Sequence, residues 1–161
     1  MKLFCLMSLF LLSLSNTVRA DWQYDLKKDE MRRTEKRFAR LESLNEVKVG
    51  QVTVKVVIAL VQGDAIGAFI TTVPSLPFAA CTEKCFISVR FGDEEITDFE
   101  VIHFKDTLQV KDFDVFSKKL TEHDFLIFEV FFGNNIARQF KFNLGKPDQN
   151  DKCNTNCRLK I

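Results

Sequence analysis

The chain has 161 residues, with 23 basic against 22 acidic side chains, a formal net charge of +1, and 17 phenylalanines. A near-neutral balance with no one-sided basic excess excludes the electrostatic footprint of a nucleic-acid-binding domain. The length suits one domain with one core, large enough to bury roughly two thirds of the surface the unfolded chain exposes.

At the N-terminus Lys2 precedes an apolar run from Leu3 to Leu14, and Val18-Arg19-Ala20 puts small residues at the −3 and −1 positions of a cleavage site. This predicts a signal peptide over residues 1–20, a mature chain from Asp21, and a periplasmic or secreted location. The apolar run is too short to cross a hydrocarbon core of about 30 Å, so no integral membrane segment is expected after cleavage. Cys5 lies inside that run and not at the start of the mature chain, which argues against a lipid anchor. Cleavage removes Lys2 and Arg19 and leaves 21 basic against 22 acidic residues, a net charge of about −1.

Trp22 and Tyr24 open the mature part, and the stretch from Asp25 to Asn45 is dense in charge. Met31, Thr34, Phe38 and Leu41 recur there at helical spacing among good helix formers, so the local pattern by itself reads as helix. Val52 to Val61 (VTVKVVIALV) is rich in β-branched residues and apolar on both faces over its second half, which predicts a central strand. Gly63-Asp64 marks a turn, and Ile66 to Val73 is a second strand ended by Pro74 and Pro77, making a hairpin. Phe86 to Phe91 alternates Phe86, Ser88 and Arg90 on one face with Ile87, Val89 and Phe91 on the core face. After the polar turn Gly92 to Glu95, Ile96 to Phe104 continues as a strand with Phe99, Val101 and His103 on one side. A helix is predicted at about 112–123, with acidic Asp112 and Asp114 at its start and Phe113, Phe116 and Leu120 at helical spacing. Phe125 to Phe132, the Gly133-Asn134-Asn135 turn and Ile136 to Leu144 form the clearest hairpin. The pattern predicts a mainly β fold, an antiparallel β-sandwich or strongly bent sheet with one short helix packed at an end. Residues 21–145 form the single β-rich domain, and residues 146–161 a polar, disulfide-stapled tail.

With Cys5 removed, Cys81, Cys85, Cys153 and Cys157 remain as two CxxxC pairs. An even cysteine count in an exported chain is first a disulfide framework. Of the three pairings, Cys81 to Cys85 and Cys153 to Cys157 is favoured, because three intervening residues can form a tight turn with disulfide geometry. Crossed pairing closes a longer loop and stays open. A zinc site would use the same thiols, but such sites belong to reducing compartments, and no metal or other cofactor is expected.

Taken together, Trp22 and Tyr24, Asp29-Glu30-Met31, Ser43-x-Asn45, Phe78 followed by Cys81 and Cys85, Ser88 to Asp93 (SVRFGD), and Phe140-x-Phe142-x-Leu144-Gly145 form a wider pattern. It resembles small exported proteins of Gram-negative bacteria and is similar to the VasI proteins associated with type VI secretion and to the invasion-associated locus B proteins. The resemblance covers the mature chain up to Gly145. It implies that the stretch around Thr34 to Ser43 is a strand, against the local helical reading, and that the paired cysteines bridge just before the strand carrying Val89-Arg90-Phe91. The strand is the expectation adopted, since charged alternation suits an edge strand and tertiary context overrides propensity. The tail with Cys153 and Cys157 extends past the usual end of the pattern, and the resemblance brings no catalytic residue with it.

The chemistry-bearing residues are few. His103 reads as a half-buried strand residue and His123 as a helix C-terminal residue, where positive charge is favoured. Neither stands in a triad or metal-ligand spacing, and no GxSxG, HExxH or phosphate-binding glycine loop occurs. Asp93 and Glu95 could act as an acid/base pair but sit in a turn. The CxxxC spacing and its surroundings lack the CxxC and βαβ setting of a disulfide oxidoreductase. The basic run Lys27, Lys28, Arg32, Arg33, Lys36, Arg37 and Arg40 is interleaved with Asp25, Asp29, Glu30, Glu35 and Glu42 and reads as a self-paired face. Trp22 and Tyr24 form a possible partner surface or close one end of the core. The expected function is a non-enzymatic periplasmic interaction protein with a protein partner. The alternatives are an inhibitor or immunity-type protein that blocks a cell-wall hydrolase or toxin, and an enzyme with an unrecognised site.

Overall fold

The computed structural model describes residues 22–63, 66–81 and 83–145. The expected signal peptide (1–20), the tail 146–161 with Cys153 and Cys157, and the turn residue Asp64 lie outside the described residues. In chain order the elements are β1 (Gln23–Asp29), β2 (Thr34–Glu42), β3 (Val47–Val49), β4 (Val52–Gln62), β5 (Gly67–Val73), β6 (Cys85–Phe91), β7 (Thr97–Phe104), β8 (Thr107–Val110), α1 (Phe113–Glu122), β9 (Phe125–Phe132) and β10 (Ile136–Asn143). All strands belong to one antiparallel sheet ordered β1-β2-β4-β5-β8-β7-β6-β9-β10, with β3 also on β4. The sheet is bent but not closed, so of the two expected architectures the bent sheet is the one adopted.

Between Asp25 and Asn45 the chain forms the β1–β2 hairpin, not the helix its local spacing suggests. Tyr24 pairs with Ala39, Leu26 with Arg37 and Lys28 with Glu35 across the β1–β2 hairpin. Six further pairs join β2 to β4, from Arg37↔Gln62 to Glu42↔Val57. That ladder buries Ala39 and Leu41. An isolated helix with so thin an apolar stripe has nothing comparable to hold it.

β2 and β3 pair end to end along β4, and Ser43 makes the break between them. Its backbone N–H donates to the carbonyl of Val56 (2.8 Å), and its Oγ accepts from Val56 N–H (3.1 Å) and donates to the carbonyl of Asn45 (2.8 Å). This local side-chain bonding satisfies a buried hydroxyl while bending the chain. The bend carries Leu44 and Asn45 onto the outer edge of β10. There Leu44 N–H donates to Lys141 O (2.8 Å), and the Asn45 side chain accepts from Lys141 N–H (2.8 Å) and donates to Gln139 O (3.0 Å). One sheet edge is thereby covered. Trp22 adds a clasp at the same seam, its indole Nε1–H donating to Leu144 O at 2.9 Å.

The concave side is packed with aromatic rings. Phe91, Phe116, Phe128, Phe132, Phe140 and Phe142 are fully buried, each withdrawing apolar surface worth about 1.5–3 kcal/mol from water. Phe128 and Phe142 stack at 5.2 Å, while Phe132 meets Phe140 edge-on at 6.2 Å and lies tilted against Phe78 at 5.3 Å. Helix α1 lies within the predicted 112–123, with Asp112 as N-cap accepting from Val115 N–H and His123 as C-cap. Its Phe116 packs edge-on against Phe91 (5.8 Å) and Phe99 (5.3 Å), which seats the helix at one end of the sheet. Three strands have no counterpart in the sequence reading: β1, β3, and the four-residue β8 that links β5 to β7.

Candidate functional site

β6 and β9 run side by side from Phe91↔Leu126 to Ser88↔Glu129. Past Ser88 they part. A short segment takes the vacated place beside β9: Phe78 bridges to Phe132, and Ala79 N–H donates to Phe131 O at 2.7 Å. The Cys81–Cys85 disulfide, with Cα atoms 5.6 Å apart, ties that segment to the first residue of β6. The local cysteine pairing expected from the spacing therefore braces a fork between two strands.

The fork encloses a cleft of about 120 Å³. Its inner wall is Phe78, Ile87, Val101, Leu108 and Val130, all buried, and its rim includes Phe86, Phe131 and Lys84. Phe86 is 50 % and Phe131 40 % exposed, because the strand alternation that sends Ile87 and Val130 inward turns these two rings outward. A cavity of roughly 150 Å³ lined by apolar side chains accommodates one benzene ring, so this cleft is of the size for a single apolar side chain. It shares Ala80, Cys81, Lys84 and Phe86 with a wider surface depression of about 760 Å³.

A second groove of about 690 Å³ lies on the convex face, lined by Ser88, Arg90, Glu94, Glu95, Ile96, Ile127, Glu129 and Gln139. Ser88 Oγ donates to Asp98 (2.7 Å) and Gln139 Nε2 to Glu129 (3.0 Å). Glu94 is held by Lys119 Nζ at 2.5 Å and His123 Nε2 at 3.2 Å. The hydrogen bond from Lys119 is the main reason its carboxyl lies below the usual value near 4.5; desolvation opposes it, and the charges of Lys119 and His123 add smaller lowering effects. Asp93 and Glu95 flank Glu94 in the turn and are exposed.

The two histidines are at opposite ends of the sheet. His123 packs at a tilt against Phe91 (5.8 Å), the last residue of β6. His103 is half-buried opposite Leu108, past the first residue of β6, and its Nε2 is shielded with no hydrogen-bond partner. The fold does not bring them together. Trp22 and Tyr24 are half-buried and pack against the core at the β1–β10 seam, away from the fork. Of the basic run, Lys28 pairs with Glu35 (3.3 Å) and Arg32 with Asp29 (2.8 Å) within the hairpin. Among the described residues no three His, Cys, Asp or Glu side chains gather as a metal-holding group, and no helix is long and apolar enough to cross a membrane.

The CxxxC spacing is the sequence signal of the fork, and the aromatic rim carries a fainter one. Phe86 shares the outward face with Ser88 and Arg90, and Phe131 shares one with Glu129. Comparison with family models, with curated proteins and with solved structures finds no match for this chain.

Proposed function

We propose that this chain is an exported interaction protein without catalytic activity of its own, which binds a protein partner through the disulfide fork. The observation that carries the reading is the pair of outward phenylalanines, Phe86 and Phe131, flanking an apolar cleft sized for one side chain. Exposed aromatic rings around a desolvated pocket are the usual form of an interface hot spot. Lys84 on the rim and Glu83 in the adjoining depression supply a polar border. The partner feature that fits is one Leu- or Phe-sized side chain on a peptide segment, with an acidic neighbour to meet Lys84. The signal-peptide pattern, the CxxxC disulfide and the resemblance to small exported Gram-negative proteins support the compartment.

The test is photocrosslinking in intact producing cells, with benzoylphenylalanine at position 86 and, as control, at Lys141 on the far side of β10. The expected result is one discrete adduct from position 86, absent from position 141, and weakened about 30-fold by Phe131→Ala through the loss of about 2 kcal/mol of hot-spot energy. Equal adducts at both positions, or no adduct at 86, would overturn the assignment.

A further inference from the structure

The two edges of the sheet are treated differently. β10 is covered by Leu44 and Asn45. β1 carries β2 on one side and, among the described residues, no strand on the other. A seven-residue edge with no strand beside it among the described residues is a template for another strand.

The charges along β1 say which strand. The run is Gln23-Tyr24-Asp25-Leu26-Lys27-Lys28-Asp29. Two of its charges are used inside the hairpin, Lys28 by Glu35 and Asp29 by Arg32. Asp25 and Lys27 are exposed and have no ion pair among the described residues; the Lys27 ammonium lies only over the Phe38 ring, at 5.4 Å. Both are on the convex face, since Asp25 pairs with Phe38 and Lys27 with Lys36.

A second copy laid antiparallel about Leu26 sets Asp25 opposite Lys27′, Lys27 opposite Asp25′ and Leu26 opposite Leu26′. The two-fold axis makes each charge pair occur twice. A slide of two residues in one direction opposes Asp25 to Asp25′, and in the other Lys27 to Lys27′. Slides by one residue would turn the concave face of one copy outward and break the continuous surface. The centred register is thus the one that matches the unused charges and rejects its neighbours.

We propose that two copies of this chain join through β1, antiparallel and centred on Leu26, into one continuous sheet. The test is sedimentation equilibrium of the exported protein, disulfide intact, over a concentration series. The wild type is expected to show a monomer–dimer equilibrium. Asp25→Lys alone or Lys27→Asp alone opposes like charges twice across the axis and raises the dissociation constant about tenfold or more. The double exchange Asp25→Lys/Lys27→Asp restores complementarity and returns it to near the wild-type value. A wild type that is monomeric at every concentration would overturn the proposal. So would a dimer insensitive to the single changes, or a double exchange as weak as either one. Circular dichroism melts of all four proteins separate loss of pairing from loss of fold.

Discussion

At the residue scale, the turn from β6 to β7 and the end of α1 meet at one point. Gly92 sits at φ +52° and donates its N–H to Phe125 O at 2.9 Å. A Cβ there would stand 3.0 Å from His123 Nδ1, whereas at Gly50 and Gly133, also at positive φ, it would meet nothing. Gly92→Ala is therefore expected to cost about 1–2 kcal/mol, from the left-handed backbone plus displacement of His123. A melt should show Tm lowered by about 5 °C, and more than for Gly50→Ala; an equal or smaller drop would refute the contact. The neighbouring Glu94 gives a pH signature. Its carboxyl is lowered in the folded state, chiefly by Lys119, so its contribution to stability is present above the ordinary value near 4.5 and is lost as pH falls through the lowered value. Glu94→Gln should melt below the wild type at neutral pH, with the two curves converging in acid. Parallel curves down to about pH 2 would remove Glu94 from the account.

At the element scale, legibility followed the number of local signals that agreed. β9 and β10 were plain in the sequence, because Phe140 and Phe142 alternate with polar residues and Gly133 and Asn135 supply the positive φ that the tight turn needs. Helix α1 was legible from its capping aspartate and its Phe116–Leu120 spacing. β8 was not, since four residues (TLQV) carry too little alternation. Its turn from β7 is made by Lys105 at φ +51° and by Asp106, which takes a hydrogen bond from Ser75, with neither Gly nor Asn to announce it. β2 misled the local reading, as Phe38 and Leu41 sit at helical spacing, yet Phe38 faces out and Leu41 in. The Ser43-x-Asn45 spacing carries no local signal of its role, which is to bend the strand and cover β10. The fork was half legible: CxxxC spacing announces a tight loop, but the cleft depends on Phe78 reaching Phe132, a contact between distant parts of the chain that no local pattern encodes.

At the scale of the whole molecule, the exposed features lie on separate parts of one sheet. The fork opens at the end where β6 starts, the helix seals the end where β6 finishes, and β1 leaves the sheet at its edge. A partner at the fork and a second copy at β1 can therefore be carried together. The strand order also ranks the steps by which the chain assembles. Most neighbouring strands are joined by short turns, but β5–β8 and β6–β9 each close loops of about 35 residues, and the two loops interlock along the chain. Closing such a loop costs about 2 kcal/mol more chain entropy than closing a four-residue hairpin. Hairpins such as β9–β10 then belong to the folding nucleus, while the β5–β8 seam zips late. In stopped-flow kinetics Phe142→Leu should mainly slow folding, and Leu108→Ala should mainly hasten unfolding; the reverse partition would mean that the long loop closes first. With the expected partition, the seam that holds the two halves together is the last joint made and the first to give way.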